Sequence, residues 1–314
     1  MFEESQVAVS EGDRDAGTWG GAVVGDGAGG GLTSLPSNSS QNPVVRVDAH
    51  SRRVEPYGTV GGDLRSGCLD GDSRLWLLST HALTVFDRER RERVGVVKQG
   101  LGTYKWDVVP MGVGLVGVSG WSAKTTTLVS TEDARVVKQL RFPSLELAVP
   151  GTDSEIALYS FHAGTMATLH AQNRTARHHR DLPTGTSPLL LDTTIHVGLG
   201  SRRRTDWRTP TSKQWWVRTT RLACLDAATL QPLREGRSPR RFRRFLGVDS
   251  HGRLIAQTAT SIRLLDPDTY RTLAIWTAPD DVVQLWSACH AAPDDAVVIR
   301  PHQFWVPELT VLTW

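Results

Sequence analysis

The side chains of this chain best suited to chemistry at a surface are arginines and tryptophans, concentrated between positions 201 and 244. Thirteen Lys or Arg lie there against only Asp206, Asp226 and Glu235, so the segment is +10 in a 314-residue chain of net charge +3. Charge this uneven makes a directional field. Two stretches carry it. SRRRTDWRTPTSKQWWV (201–217) supplies Arg202, Arg203, Arg204, Trp207, Arg208, Trp215 and Trp216, and REGRSPRRFRR (234–244) supplies Arg237, Arg240 and Arg241. Guanidinium groups grip carboxylates or phosphates through two parallel hydrogen bonds. Aromatic faces anchor protein partners or stack on bases. The pattern points to a protein partner with an acidic surface, and nucleic acid is the alternative. A plainer reading packs the tryptophans under a loop, leaves the arginines solvated and assigns Phe242 and Phe245 to a core strand.

Other reactive residue types are present without the spacing that would make them a site. No G-x-S-x-G elbow, no H-E-x-x-H and no zinc-type cysteine pair occurs. Cys68, Cys224 and Cys289 fall in strand-like runs and read as small buried apolar residues. His178 and His179 are adjacent, so within a strand they point to opposite faces and do not share a metal. Asp63, Asp107, Glu146, Asp192 and Asp281 lie in or near candidate inner strands. These are the ligands a metal-dependent hydrolase or lyase with a central channel would use, which is the enzymatic alternative. The expectation is a non-enzymatic binding protein with no catalytic residue, no metal site and no cofactor.

The elements that must position the arginines are short strands. RLWLLS (74–79), ALTVFD (82–87) and RVGVVK (93–98) are β-branched and aromatic runs separated by charged or glycine-containing turns. Helical periodicity is absent almost throughout, so the class is all-β. The unit recurs. Its first strand aligns at Leu75, Leu115, Ile156, Ile195, Leu254 and Val297, spaced 40, 41, 39, 59 and 43. The turn between its second and third strands aligns independently at Asp48, Asp87, Ser130, His170, Asp226 and Asp266, spaced 39, 43, 40, 56 and 40. Both landmarks place one insertion, at 201–217, in the same repeat. Three of the turns read D-x-x-[ST]: Asp48–Ser51, Asp226–Thr229 and Asp266–Thr269. There the carboxylate can accept backbone N–H bonds two and three residues on.

Four strands in each repeat of about forty residues, with D-x-x-[ST] turns, resemble β-propellers of the WD40, YVTN and quinoprotein-like kinds. The resemblance covers residues 43–314 and is one of fold, because no repeat carries the GH…WD pair of the WD40 family. It implies a ring of blades that buries its sheet faces. Six innermost strands, near 64–69, 104–109, 144–149, 186–191, 243–248 and 284–289, predict six blades, with seven as the alternative count. Neither chain end holds a whole unit, so strands from both termini are expected to complete the last blade. Propellers also act as scaffolds, which makes a protein-binding platform the expected function.

Residues 1–42, with GGAVVGDGAGGG and LPSNSSQN, hold few apolar side chains and predict a disordered tail. Gly25, Gly27 and Gly30 fit G-x-G-x-x-G, but a phosphate loop needs a strand before it and a helix after it. Hydrophobic residues make up 39% of the chain, sufficient for a large core, yet no run of eighteen apolar residues occurs. No membrane association is expected. The acidic opening MFEESQVAVSEGDRD does not read as a secretory signal, and three scattered cysteines suit a reducing compartment. A cytoplasmic, bacterial protein is the expectation.

Overall fold

A computed structural model of the chain describes residues 1–9, 21–37, 39–72, 74–102, 107–119, 124–151, 154–172, 174–204, 215–282, 284–301 and 308–314. For residues 179–181, 201–204 and 215–217 it describes the backbone alone. The described residues form seven four-stranded antiparallel sheets. Strand β1 (Glu3–Ala8) belongs to the last of them.

Blade 1 is β2 (Val23–Gly25), β3 (Gly30–Ser34), β4 (Asn42–Asp48) and β5 (Val54–Val60). Blade 2 is β6 (Leu64–Leu69), β7 (Arg74–Ser79), β8 (Leu83–Asp87) and β9 (Arg93–Val97). Blade 3 is β10 (Asp107–Gly112), β11 (Leu115–Ser119), β12 (Thr126–Ser130) and β13 (Val136–Leu140). Blade 4 is β14 (Leu147–Pro150), β15 (Glu155–Ser160), β16 (Thr165–His170) and β17 (Thr175–Asp181). Blade 5 is β18 (Gly185–Leu191), β19 (Thr194–Arg204), β20 (Trp215–Asp226) and β21 (Pro232–Arg237). Blade 6 is β22 (Phe242–Val248), β23 (Leu254–Thr258), β24 (Ser261–Leu265) and β25 (Thr272–Thr277). Blade 7 is β26 (Ser287–His290), β27 (Ala296–Arg300) and β28 (Glu308–Thr313), with β1 as its outer strand.

The innermost strand of each blade touches that of the next, and β26 returns to β2, which closes a seven-bladed β-propeller. Middle strands lie between two neighbouring blades, so both their faces are buried, as in Leu75–Ser79 and Ala296–Arg300. The core lies between blades. Trp76, Leu78 and Val85 of blade 2 pack with Val108, Val116 and Val129 of blade 3. Serine hydroxyls bind adjacent inner strands together: Ser187 accepts from the Phe245 N–H at 3.1 Å, and Ser287 accepts from the Val23 N–H at 3.0 Å. A hydroxyl suits these positions because inner strands splay from the axis and leave backbone donors without a ladder partner.

The turn landmarks lie between the third and fourth strands of their blades, not between the second and third, because each blade has an innermost strand before the strand that the sequence counts first. In the third-to-fourth-strand turns of blades 1, 5 and 6, the first Asp accepts the N–H and the hydroxyl of the Ser or Thr three residues on, at 2.7 and 2.8 Å. The next residue is left-handed: Arg52, Leu230 and Tyr270 have φ of 57–59°. Arg91, Ala134 and Arg174 hold the same place at φ 52–57° in turns whose D-x-x-[ST] pattern is lost.

Seven blades replace the six expected from the inner strands. The two landmark series, each of six, are offset by one blade: the series expected on first strands falls on the second strands of blades 2 to 7, and the turn series runs from blade 1 to blade 6. The blade counted short is the first, whose inner strands are VVG and GGLTS. Glycine is there for closeness. A Cβ on Gly31 would lie 2.8 Å from Val298 Cβ, and one on Gly30 would meet the Arg46 guanidinium at 2.8 Å. Residues 1–42, expected to be a disordered tail, therefore supply β1, β2 and β3. Gly25, Gly27 and Gly30 shape a hairpin turn with a strand, not a helix, after it.

Ring closure does use both chain ends. β1 pairs with β28 from Glu3↔Thr313 to Ala8↔Glu308. Glu4 accepts the Trp276 indole N–H at 2.8 Å, and Phe2 meets Trp314 edge-to-face at 5.2 Å.

Candidate functional site

Antiparallel strands of a blade put its second-to-third-strand turn on the same ring face as the connection to the next blade. Hydrogen bonds record that arrangement around blade 5. The Gly200 N–H reaches the Thr184 carbonyl at 3.1 Å, the Ser238 N–H reaches Thr220 at 3.3 Å, and the Ala259 N–H reaches Arg241 at 3.0 Å. The basic stretch after β21 thus sits against the base of the β19–β20 hairpin.

That hairpin is the insertion, and it falls in the fifth blade. Its strands run eleven and twelve residues, where the second strands of the other blades have five or six. The ladder continues past a register shift at Leu199/Gly200 to Arg202↔Val217, Arg203↔Trp216 and Arg204↔Trp215. So five of the ten sequence-selected residues, Arg202, Arg203, Arg204, Trp215 and Trp216, are held on the extended arms. Trp207 and Arg208 lie outside the described residues, as do Trp106 and Trp121. Arg237 is exposed at the end of β21, Arg240 and Arg241 on the β21–β22 connection, and Arg218 and Arg221 on β20. Arg221 pairs in register with Arg237 and makes an ion pair with Glu235 at 2.7 Å. Among the described residues, Arg218, Arg237, Arg240 and Arg241 make no ion pair.

Not every basic residue of the segment belongs to this face. Arg244 donates to Gln257 at 2.9 Å and to the Ala288 carbonyl at 2.7 Å, joining blades 6 and 7, and burial holds its guanidinium below the ordinary value. Arg234 pairs with Asp268 in the third-to-fourth-strand turn of blade 6. Phe242 and Phe245 are buried and meet edge-to-face at 4.9 Å, so they are core residues. Trp76 and Trp276 likewise fill the core, while Trp286 precedes β26.

The carboxylates considered for a central channel do not assemble into a metal-binding group among the described residues. Asp192 and Asp281 are exposed, and Asp63 accepts from Asn42 at 3.2 Å. Glu146 accepts the His162 N–H at 2.7 Å, yet burial pushes its carboxyl up to about 8. The acids that do converge are Asp249 and Asp295, with His251, their ligand atoms within 4.8 Å of one another. Both carboxylates are already engaged. Asp249 accepts the N–H groups of His251 and Arg253, the Arg253 guanidinium and the Trp314 indole, at 2.6–3.1 Å. Asp295 accepts twice from Ser250, at 2.7 and 2.6 Å. Of the cysteines, Cys224 and Cys289 are buried, and burial raises the thiols of Cys68 and Cys289.

Sequence reasoning missed a second turn motif. Asp26, Asp70 and Asp249 each close the turn between first and second strands by accepting the N–H groups two and four residues on, at 2.7–3.0 Å. The other carboxylate oxygen takes a side chain of the same blade or of a neighbour: Arg46 at 2.5 Å, Trp76 at 2.7 Å or Trp314 at 3.1 Å. Aligning DGAGG, DGDSR and DSHGR exposes the motif and would have brought blade 1 into the count.

No protein-family profile matches the chain, and no curated protein is similar to it in sequence. Solved structures are similar in fold. One from the crystal structure of the mitotic checkpoint complex superposes with a TM-score of 0.63 at 9% identity, over 98% of this chain and 92% of the other. The WD40 β-propeller domain of Doa1 superposes with a TM-score of 0.60 at 12% identity, over 98% of this chain and 97% of that domain. At such identities the likeness is of fold alone: the chain is an all-β, seven-bladed propeller similar to WD40 propellers.

Proposed function

We propose that this propeller is a protein-binding platform, and that its partner presents an acidic surface to the ring face carrying the β19–β20 hairpin. One observation carries the reading. The extended hairpin arms and the exposed Arg237, Arg240 and Arg241, which make no ion pair among the described residues, lie side by side on one face, stitched through Ser238 and Thr220. Guanidinium groups that no described acid pairs retain their capacity for bidentate pairing with an incoming carboxylate. The likeness to a propeller within the mitotic checkpoint complex supports a role in assemblies. The reading includes Arg202, Arg203, Arg204, Trp207, Arg208, Trp215 and Trp216 as the outer part of the contact.

The test uses two triple variants, Arg237→Glu/Arg240→Glu/Arg241→Glu and Arg202→Glu/Arg203→Glu/Arg204→Glu, in a cross-linked pull-down with mass spectrometry. Each is expected to lose the acidic partner while its melting curve stays that of wild type. Capture by both variants at the wild-type level would end the proposal. Nucleic acid is the second reading, favoured only by the same arginines. It requires retention on single- or double-stranded oligonucleotides to weaken steeply as salt rises from about 50 to 200 mM.

A further inference from the structure

The two arms of the β19–β20 hairpin outrun the rest of blade 5. β18 accompanies β19 only as far as Gly185↔Leu199, and β21 accompanies β20 only from Leu225↔Pro232 to Arg221↔Arg237. One more bond follows, from the Ser238 N–H to the Thr220 carbonyl. The chain then turns away at Pro239, which has no N–H to continue the ladder and whose carbonyl accepts the Phe242 N–H at 3.2 Å. Beyond that point the arms pair with each other in unbroken register, from Gly200↔Thr219 to Arg204↔Trp215. Gly200 permits the approach, since a Cβ on it would collide with the Arg218 carbonyl. Among the described residues, the outward edge of β20 from Trp215 to Thr219 therefore pairs with no strand. This extended backbone offers a lane of about 17 Å, in line with β21 and just past its end.

An unpaired edge is a template for another strand, and its charges decide which strand it accepts. Residues 201–204, 215–221 and 237–241 hold eight arginines and no acid. Glu235, the nearest acid on β21, is engaged with Arg221. A second copy of this edge brings the same arginines and is repelled, because like charges across strands destabilise the pair. A strand carrying carboxylates is attracted.

We propose that the β20 edge from Trp215 to Thr219 receives an extended acidic segment of the partner, which adds to blade 5 as a further strand in line with β21. The inference rests on the platform reading and specifies how the partner is held. Backbone hydrogen bonds along the lane supply affinity, and the surrounding arginines select carboxylates.

Fluorescence anisotropy on the full chain tests it with a fluorescein-labelled eight-residue peptide that alternates Glu with Val or Thr. Two further versions carry N-methyl groups on every second amide, one on the Glu amides and one on the others. Successive N–H groups of a strand point to opposite edges, so only one version blocks the ladder. The expected result is that wild type binds the parent peptide, that one methylated version is weakened at least about tenfold, and that the other stays within about twofold. Amide hydrogen exchange across 215–220 should slow when the parent peptide binds. A parent peptide that does not bind, two methylated versions that bind alike, or unchanged exchange across 215–220 would each overturn the proposal. Arg237→Glu/Arg240→Glu/Arg241→Glu separates this from failure of the platform reading. If that variant loses the parent peptide while both methylated peptides bind wild type equally, the basic face stands and the added strand does not. If it binds the parent peptide as tightly as wild type, the basic face is refuted and the inference with it.

Discussion

The Nδ1 atom of His196 lies 2.9 Å from the hydroxyl of Tyr270, a hydrogen bond from the second strand of blade 5 to the third-to-fourth-strand turn of blade 6. The imidazole is 2% exposed and meets the Tyr270 ring edge-to-face at 5.8 Å. Burial, with a smaller contribution from Arg234, pushes its pKa down to about 4 from an ordinary 6.5. The folded chain therefore resists protonation that the unfolded chain accepts. The stability this neutral histidine contributes is complete above about 6.5 and is lost as pH falls toward 4. His196→Phe should flatten that part of the melting-temperature profile. It should also lower stability at neutral pH by about 1–3 kcal/mol, because the Tyr270 hydroxyl loses its partner. Thermal melts of both proteins from pH 4 to 7 check the two effects.

Glu146 has the opposite sign. Burial raises its carboxyl to about 8 from 4.5, against the lowering effect of the His162, Phe161 and Ser187 N–H groups. Between those values the unfolded chain is ionised while the folded one holds its proton, so this group's contribution to stability falls as pH rises. Glu146→Gln abolishes the fall. The melting temperature of the variant minus that of wild type should increase from pH 5 to pH 8. A difference that stays constant would show that the carboxyl is ionised in the folded protein.

How legible the fold was depended on where the physics was local. The turn at Asp266–Thr269 is specified by one carboxylate and the three residues after it, so D-x-x-[ST] stands out in the sequence. The aliphatic and aromatic run RLWLLS of β7 is equally local. Blade 1 was hidden because its glycines answer to distant neighbours: Gly31 to Val298, some 267 positions away, and Gly30 to Arg46. The face was legible for a related reason. The insertion at 201–217 lengthens a hairpin whose register Arg202↔Val217 continues the ladder from Thr194↔Asp226. What sequence could not reveal was the fate of single side chains. Arg241 stays in solvent while Arg244, three positions on, is drawn between blades by Gln257 and Ala288.

Arg52 is exposed at φ 59°, the left-handed place of its turn, where a Cβ is strained and glycine is not. Arg52→Gly should raise stability by about 0.5–1 kcal/mol, while Arg53→Gly, one position on, should lower it or leave it unchanged. Urea titration of the two variants, at equal m-value, separates backbone strain from loss of a charged side chain.

The last prediction concerns closure. Val7 is 6% exposed and packs with Val9, Val298, Leu309 and Val311, within a cluster that also takes in Val23, Val45 and Val47 of blade 1. β1 is thus the outer wall of the seam between the last and first blades, and removing it would leave the β28 edge unpaired and the Trp276 indole without Glu4. Val7→Asp puts an unpaired carboxylate into that seam and should cost on the order of 3 kcal/mol. Deleting residues 1–9 should be worse, lowering the melting temperature further and promoting association through the bared β28 edge. Differential scanning calorimetry with size-exclusion chromatography checks both. A chain that melts as wild type without those nine residues would mean that three strands suffice for blade 7, and that the β1–β28 ladder adds nothing to the ring.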